Sequence, residues 1–110
     1  MLPEVDLQAF AAAHADGAFV IDVREPFEYV NGHVSGAQLL PMGQVPHLVA
    51  ELPTSEPVYV ICASGNRSLT VARWLQGRGI AAYSVAGGTG GWVAQGRPVL
   101  RGSQAEESAA

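Results

Sequence analysis

The single cysteine of the chain, Cys62, lies where sulfur chemistry or anion binding is expected. It ends an apolar, β-branched stretch that begins at Val58, and a short loop with a central glycine, Gly65, follows it. A segment with helical spacing comes next, so backbone N–H groups at the start of a helix are predicted to face the sulfur. Such a ring of donors binds anions and stabilises a thiolate. The pattern therefore predicts either a reactive thiolate or an oxyanion site.

The loop after Cys62 has the residues that an amide cradle needs. Gly65 permits a tight turn, and its small neighbours leave the sulfur accessible. Arg67 stands in the first helical turn, where acids are normally preferred, so we expect it to hold loop carbonyls or to face an anion. The alternative is that Cys62 is a small, buried and inert residue, as free cysteines often are. The residues that we expect to bind the substrate are Ala63, Ser64, Gly65, Asn66, Arg67 and Ser68.

Strands and helices that could position this loop alternate along the chain. Strands are predicted at 18–23, 37–40, 57–61 and 81–85, and helices at 7–14, 27–30, 43–52, 66–76 and after the glycines at 87–91. This alternation predicts an α/β fold, with a central, mostly parallel sheet and helices on both faces. Ligands bind at the carboxyl ends of strands in such sheets, so the three loops that follow the strands ending at 23, 61 and 85 are expected to converge.

Two of these loops supply residues that we expect to support the pocket. Asp22 is expected to accept hydrogen bonds from loop N–H groups, and Arg24 to pair with a nearby acid such as Glu28. Gly87 and Gly88 are expected to allow the backbone to approach the cysteine loop closely. Other conspicuous side chains are predicted to be structural. His33 is expected to be packed and hydrogen-bonded, and both tryptophans to pack in the core or at its edge.

Length and composition predict one globular domain. The chain has 110 residues, of which 48% are hydrophobic, and has no apolar run long enough to cross a membrane. Acids stand near its first residue where a secretory signal would have bases, so we expect a cytoplasmic protein. We assign residues 1–101 to the domain and 102–110, which are small and polar, to a disordered tail. No contact with a membrane or with nucleic acid is expected.

The residue inventory excludes several chemistries. One cysteine excludes an internal disulfide, and three dispersed histidines predict no metal site. The chain has no lysine, which excludes Schiff-base catalysis. Residues 57–105 hold five arginines and no acid, whereas the rest of the chain holds ten acids and one arginine. This division favours an anionic ligand at Cys62 and a lowered thiol pKa, unless the arginines are merely spread over solvated faces.

Three blocks of sequence resemble the rhodanese family of sulfurtransferases, and they cover roughly residues 4–100. The first block is Asp22-Val23-Arg24-Glu25 with Glu28-Tyr29 and residues 32–37, the second is 62–68, and the third is 87–92 with 96–99. The resemblance implies a single rhodanese-like domain with a five-stranded sheet and no cofactor. It also implies a persulfide on Cys62, loaded by a donor such as thiosulfate and unloaded by cyanide or a thiol.

Other functions remain open at this point. Tyrosine-phosphatase-like sites place five residues between cysteine and arginine, whereas four lie between Cys62 and Arg67, and the smaller loop disfavours phosphatase or arsenate-reductase chemistry. A non-catalytic rhodanese-like binding module usually lacks the cysteine, which is present here. A third alternative is persulfide relay with a partner protein. This loop lacks the second basic residue of some thiosulfate-using members, so a persulfide is as plausible a donor as thiosulfate.

Overall fold

The computed structural model describes residues 2–106 as one sheet covered by helices. The strands are β1 (Glu4–Val5), β2 (Phe19–Asp22), β3 (Gln38–Leu39), β4 (Val58–Ile61) and β5 (Ala82–Val85). The α-helices are α1 (Leu7–Ala15), α2 (Pro26–Val30), α3 (Val45–Leu48), α4 (Asn66–Gln76) and α5 (Gly88–Ala94). Two short 3₁₀ helices, Met42–Gln44 and Val49–Glu51, flank α3.

The sheet has five strands in the order β1-β5-β4-β2-β3, and every pair of neighbours is parallel. In the register, Asp22 at the end of β2 lies beside Ile61 at the end of β4, and Ser84 near the end of β5 lies beside Val60. The carboxyl ends of the three central strands therefore meet at one edge. Cys62 follows the middle one.

Helices cover both faces of the sheet, as the sequence predicts. On one face, Val71 and Leu75 of α4 pack with Val60 of β4 and Val45 of α3. The opposite face buries a separate group of residues from β2, β4 and β5 beneath α1 and α5, namely Val20, Ile61 and Val85 with Phe10 and Trp92. Burial of apolar surface on both faces explains the nearly continuous apolar runs of these strands.

The helix starts follow local signals in the sequence. Asp6 caps α1, since its side chain accepts a hydrogen bond from the backbone N–H of Ala9 at 2.7 Å. Pro26 opens α2, and Glu25 and Glu28 form a reciprocal capping box around its first turn. Gly65, with φ of +107°, precedes α4, so the glycine in the cysteine loop makes the turn that was expected of it.

Three elements differ from the prediction. The helix expected over 43–52 is a 3₁₀–α–3₁₀ series, because Pro46 has no N–H to give to the carbonyl of Met42 and the regular ladder cannot form there. Strand β1 was not predicted, since two residues carry no periodic signal and β1 is defined by pairing with β5. Helix α5 begins at Gly88, inside the glycine cluster that was expected to be a loop.

Residues 102–106, which were assigned to a disordered tail, lie against the domain. The N–H of Gly36 donates to the carbonyl of Ala105 at 2.7 Å, and His33 Nε2 is 2.7 Å from the carbonyl of Gln104. His33 is buried and stacks on Tyr29, which confirms its predicted packed role. The remainder of the predicted tail, 107–110, lies outside the described residues. Within 2–106, no helix is long and apolar enough to cross a membrane.

Candidate active site

The Cys62 sulfur lies in a ring of hydrogen-bond donors just beyond the end of β4. The backbone N–H groups of Gly65 and Ser68 donate to Sγ at 3.1 and 3.3 Å, and the Ser68 hydroxyl lies 3.2 Å from it. The cysteine is only 1% exposed, so the expectation that its small neighbours leave the sulfur accessible is wrong for this structure. The same burial lets these donors act where little water competes with them. Such a ring is suited to a negative charge on sulfur.

This environment lowers the pKa of the Cys62 thiol. Burial acts in the opposite direction and raises the pKa, because a buried charge loses its hydration. The Ser68 hydroxyl and the N–H groups of Ser68, Gly65 and Ser64 together outweigh that effect. The site therefore favours the thiolate, which is the nucleophilic form of cysteine.

A second serine, Ser84, extends the network behind the sulfur. Ser84 Oγ lies 2.7 Å from Ser68 Oγ and 3.5 Å from the carbonyl of Gly65, and both serines are fully buried. Ser84 was not among the site residues predicted from the sequence. The available signal was a serine at an inward position of an otherwise apolar strand, since a buried hydroxyl requires a partner.

The start of α5 closes the other side of the loop. The N–H groups of Thr89 and Gly90 donate to the carbonyls of Cys62 and Ala63 at 2.8 and 3.0 Å. A side chain at Gly88 would put its Cβ 2.4 Å from the Cys62 carbonyl oxygen, so only glycine fits there. This contact gives Gly88 the close-approach role that was predicted for it, and it fixes the orientation of the loop carbonyls.

Arg67 pairs with the carboxylate of Glu28. Its two terminal nitrogens donate to the two carboxylate oxygens of Glu28 at 2.8 and 2.9 Å, which is a bidentate pair. Hydrogen bonding to Arg67, opposed in part by burial, lowers the pKa of Glu28 to about 2. The anion that Arg67 faces in this structure is the Glu28 carboxylate, and among residues 2–106 it donates to no loop carbonyl. Its expected contact with a bound substrate stays a prediction. The pair was not predictable from spacing, because the two residues are far apart in the chain.

Arg24 pairs with Asp22, and the expectation that it would pair with Glu28 is corrected. Nε and one terminal nitrogen of Arg24 donate to the two Asp22 oxygens at 2.9 and 2.8 Å, and the same terminal nitrogen donates to the carbonyl of Gly32. Asp22 also accepts the backbone N–H of Arg24, which confirms its role as a loop acceptor. Both side chains are buried, so the pair orders the loop after β2 and leaves no free charge there.

A cleft of about 410 Å³ borders the cysteine loop at Ala63. Charged residues on its wall are Arg24, Glu28 and Arg101, and apolar side chains include Val93 and Val99. Ser64 and Asn66 are exposed on the cysteine loop. Gly87, which directly precedes α5, has φ of +82°. Among residues 2–106, no group of three or more potential metal ligands occurs.

Comparison with known proteins agrees with this geometry. The family model described as a rhodanese-like domain matches residues 6–95. The chain belongs to the rhodanese-like family. Its rhodanese-like domain is 37% identical over 82 residues to a protein of Pseudomonas entomophila named thiosulfate sulfurtransferase GlpE, covering 74% of this chain and 75% of that protein.

A second relative and a solved structure are also similar to this chain. A Bacillus subtilis protein named putative sulfur carrier protein YrkF is 36% identical over 80 residues, covering 71% of the rhodanese-like chain and 43% of that protein. The crystal structure of a rhodanese-related protein from Thermoplasma volcanium superposes with a TM-score of 0.83 at 29% identity, covering 88% of this chain and 96% of that one. The predicted fold, a single α/β rhodanese-like domain with a five-stranded sheet, is thereby confirmed.

Proposed function

We propose that this rhodanese-like protein is a sulfurtransferase that carries a sulfane sulfur as a persulfide on Cys62. The observation that supports this most directly is that the Cys62 sulfur accepts hydrogen bonds from two backbone N–H groups and lies 3.2 Å from the Ser68 hydroxyl. The lowered thiol pKa fits a nucleophile, and the relative named thiosulfate sulfurtransferase fits the reaction. The substrate-contacting residues in this proposal are those of the loop, Ala63 to Ser68.

In the first step, the Cys62 thiolate attacks the outer sulfur of the donor. With thiosulfate, a new S–S bond forms to Cys62, the S–S bond of thiosulfate breaks, and its electron pair leaves on sulfite. No proton moves, so no general base is needed. The N–H groups of Gly65 and Ser68 stabilise the negative charge on the cysteine before attack and on the persulfide after it.

In the second step, a thiophilic acceptor removes the outer sulfur. The acceptor is cyanide in an assay or a thiolate in a cell, and its attack restores the Cys62 thiolate as the leaving group. The two half-reactions share one covalent intermediate, which predicts ping-pong kinetics. The cleft beside Ala63 offers room for a donor or acceptor larger than thiosulfate.

Persulfide relay to a partner protein is the second candidate. The resemblance to a protein named as a putative sulfur carrier favours it. In a relay, the same Cys62 persulfide forms, but the donor or the acceptor is a protein persulfide or thiol. Phosphatase chemistry is disfavoured, because only four residues separate Cys62 from Arg67 and both terminal nitrogens of Arg67 are bound by Glu28.

Intact mass spectrometry tests the proposal. After incubation with thiosulfate, the native protein gains one sulfur atom and the Cys62→Ala variant gains none. Cyanide then removes the added sulfur, and thiocyanate appears in equal amount. Absence of loading with thiosulfate, followed by loading with a small hydropersulfide, favours the relay. Absence of loading with both donors overturns the proposal and leaves the non-catalytic binding module.

A further inference from the structure

The ion pair of Arg67 and Glu28 places two opposite charges beside the cysteine loop. Arg67 directly precedes Ser68, whose N–H and hydroxyl both contact Sγ. Arg67 is also the one cation in the cysteine loop, and both of its terminal nitrogens are taken by the Glu28 carboxylate. The cation that an anionic donor would approach is therefore already neutralised.

Glu28 also faces the cleft beside the cysteine loop. The other charged residues on that wall are Arg24, whose guanidinium is held by Asp22, and Arg101, which donates to the carbonyl of Asn31. Within residues 2–106, Arg101 is thus the cleft cation without a carboxylate partner. A donor that enters the cleft meets the Glu28 carboxylate on a wall shared with Ala63, the residue next to Cys62, and one cation without a carboxylate partner in the described part of the chain, Arg101.

We propose that Glu28 is a specificity-determining residue that disfavours doubly charged sulfur donors relative to singly charged ones. The inference rests on the proposed sulfurtransferase function and names the donor class for it, which is monoanions such as thiosulfonates and persulfides. The reason is Coulombic. The Glu28 carboxylate cancels the attraction that Arg67 would exert on an anionic donor. The attraction lost scales with the donor's charge, so a dianion loses about twice as much free energy as a monoanion.

Two donors of nearly equal size isolate this effect. Thiosulfate carries two negative charges, and the methanethiosulfonate anion carries one, because a methyl group replaces one oxygen. Each gives its outer sulfur to Cys62 as one S–S bond forms and one breaks. Sulfite leaves with the electron pair in the first case, and methanesulfinate leaves in the second. The charge is conserved in both reactions, and no oxidant or reductant is needed.

The experiment measures the rate of persulfide loading of the full chain with each donor. In Glu28→Gln, the amide keeps the size of the side chain and removes its charge, which frees Arg67. We expect the thiosulfate rate to rise about tenfold and the methanethiosulfonate rate about threefold. A change in the thiolate fraction of Cys62 multiplies both rates equally, so the ratio of the two rates reports donor charge alone.

The control is Glu56→Gln, which removes the same charge from an exposed site ahead of β4, at the opposite end of the strand from Cys62. It is expected to leave the ratio unchanged. A Glu28→Gln variant that loads persulfide with an unchanged ratio overturns this inference and leaves the sulfurtransferase function standing.

Alkylation tests the same charge effect without sulfur transfer. Glu28→Gln is expected to raise the Cys62 reaction rate with iodoacetate, an anion, about threefold relative to neutral iodoacetamide. If neither of these donors nor a small hydropersulfide loads the wild type, the proposed function fails and the donor preference fails with it. The alkylation ratio then still shows whether Glu28 filters anions at Cys62, and an unchanged ratio overturns that filter as well.

Discussion

At the scale of single residues, one side chain and a set of backbone amides hold the Cys62 sulfur. Ser68 supplies that side chain, and its hydroxyl is among the groups that lower the pKa of the thiol. Ser68→Ala removes this donor, keeps the backbone N–H and is therefore expected to raise the thiol pKa. The pH at which alkylation is half-maximal shifts upward, and persulfide loading at neutral pH falls about tenfold, since hydrogen bonds to charged groups are strong.

The exposed hydroxyl of Thr70 provides the matched control, two residues along the same helix. It contacts the carbonyl of Asn66 and not the sulfur. Thr70→Ala is expected to leave the alkylation profile in place. A profile for Ser68→Ala that also matches the wild type shows that the amides alone set the thiol pKa, contrary to our expectation.

The sequence predicts the chemistry of Cys62 better than it predicts the hydrogen-bond partners of Arg67 and Ser68. Cys62, Gly65 and the start of α4 are contiguous, so local rules for strand ends, turns and helix N-termini are sufficient to place them. The partners of Arg67 and Ser68, which are Glu28 and Ser84, lie 39 and 16 residues away. Such contacts depend on sheet order and on the entry angle of each helix, which periodicity does not encode.

At the scale of elements, the junction of β4 with α5 is the tightest contact of the site. Gly88 has φ of +58°, and a Cβ there would lie 2.4 Å from a Cys62 backbone oxygen and 2.7 Å from the Ala63 backbone. Gly88→Ala therefore combines a strained conformation with a clash against backbone that cannot rotate away. We expect a loss of about 3 kcal/mol in the free energy of unfolding, measured by urea titration.

Gly43→Ala serves as the control for that substitution. A Cβ at Gly43 meets nothing within 4 Å, and its φ is not positive. Its effect on stability is expected to stay within about 0.5 kcal/mol. Equal losses in the two variants contradict the assignment of Gly88 as the site of close approach. The start of α5 at Gly88 was not predicted, because glycines have low helix propensity and the helix begins there through its contact with the cysteine loop.

The ion pair between α2 and α4 makes stability depend on acid pH. The pKa of Glu28 is lowered from 4.5 to about 2 in the folded chain, so its contribution is full above pH 4.5 and is lost as pH falls toward 2. Because the Arg67 side chain is 37% exposed, solvent screens the pair, and we expect about 1 kcal/mol at pH 7. Urea titrations of the wild type and Glu28→Gln are expected to differ at pH 7, and the difference is expected to be much smaller at pH 2.5.

At the scale of the whole molecule, the parallel sheet brings the site together from distant parts of the chain. The loops after β2, β4 and β5 meet at one sheet edge because these strands are neighbours with aligned ends. The acidic N-terminal half supplies Glu28, and the basic half supplies Cys62 and Arg67. The positive charge of the basic half is thus partly cancelled beside Cys62, because Glu28 from the acidic half pairs with Arg67.

The C-terminal segment 102–106 belongs to the folded domain in our interpretation. It covers His33, which is fully buried, and its carbonyls at Gln104 and Ala105 meet the His33 ring and the Gly36 N–H. A chain ending at residue 101 exposes the imidazole and removes both partners, so we expect a loss of about 1–3 kcal/mol in the free energy of unfolding. A chain ending at 106 keeps both contacts and is expected to match the full chain in the same urea titration. If the two truncated chains are equally stable, the domain ends at residue 101, as composition alone predicts.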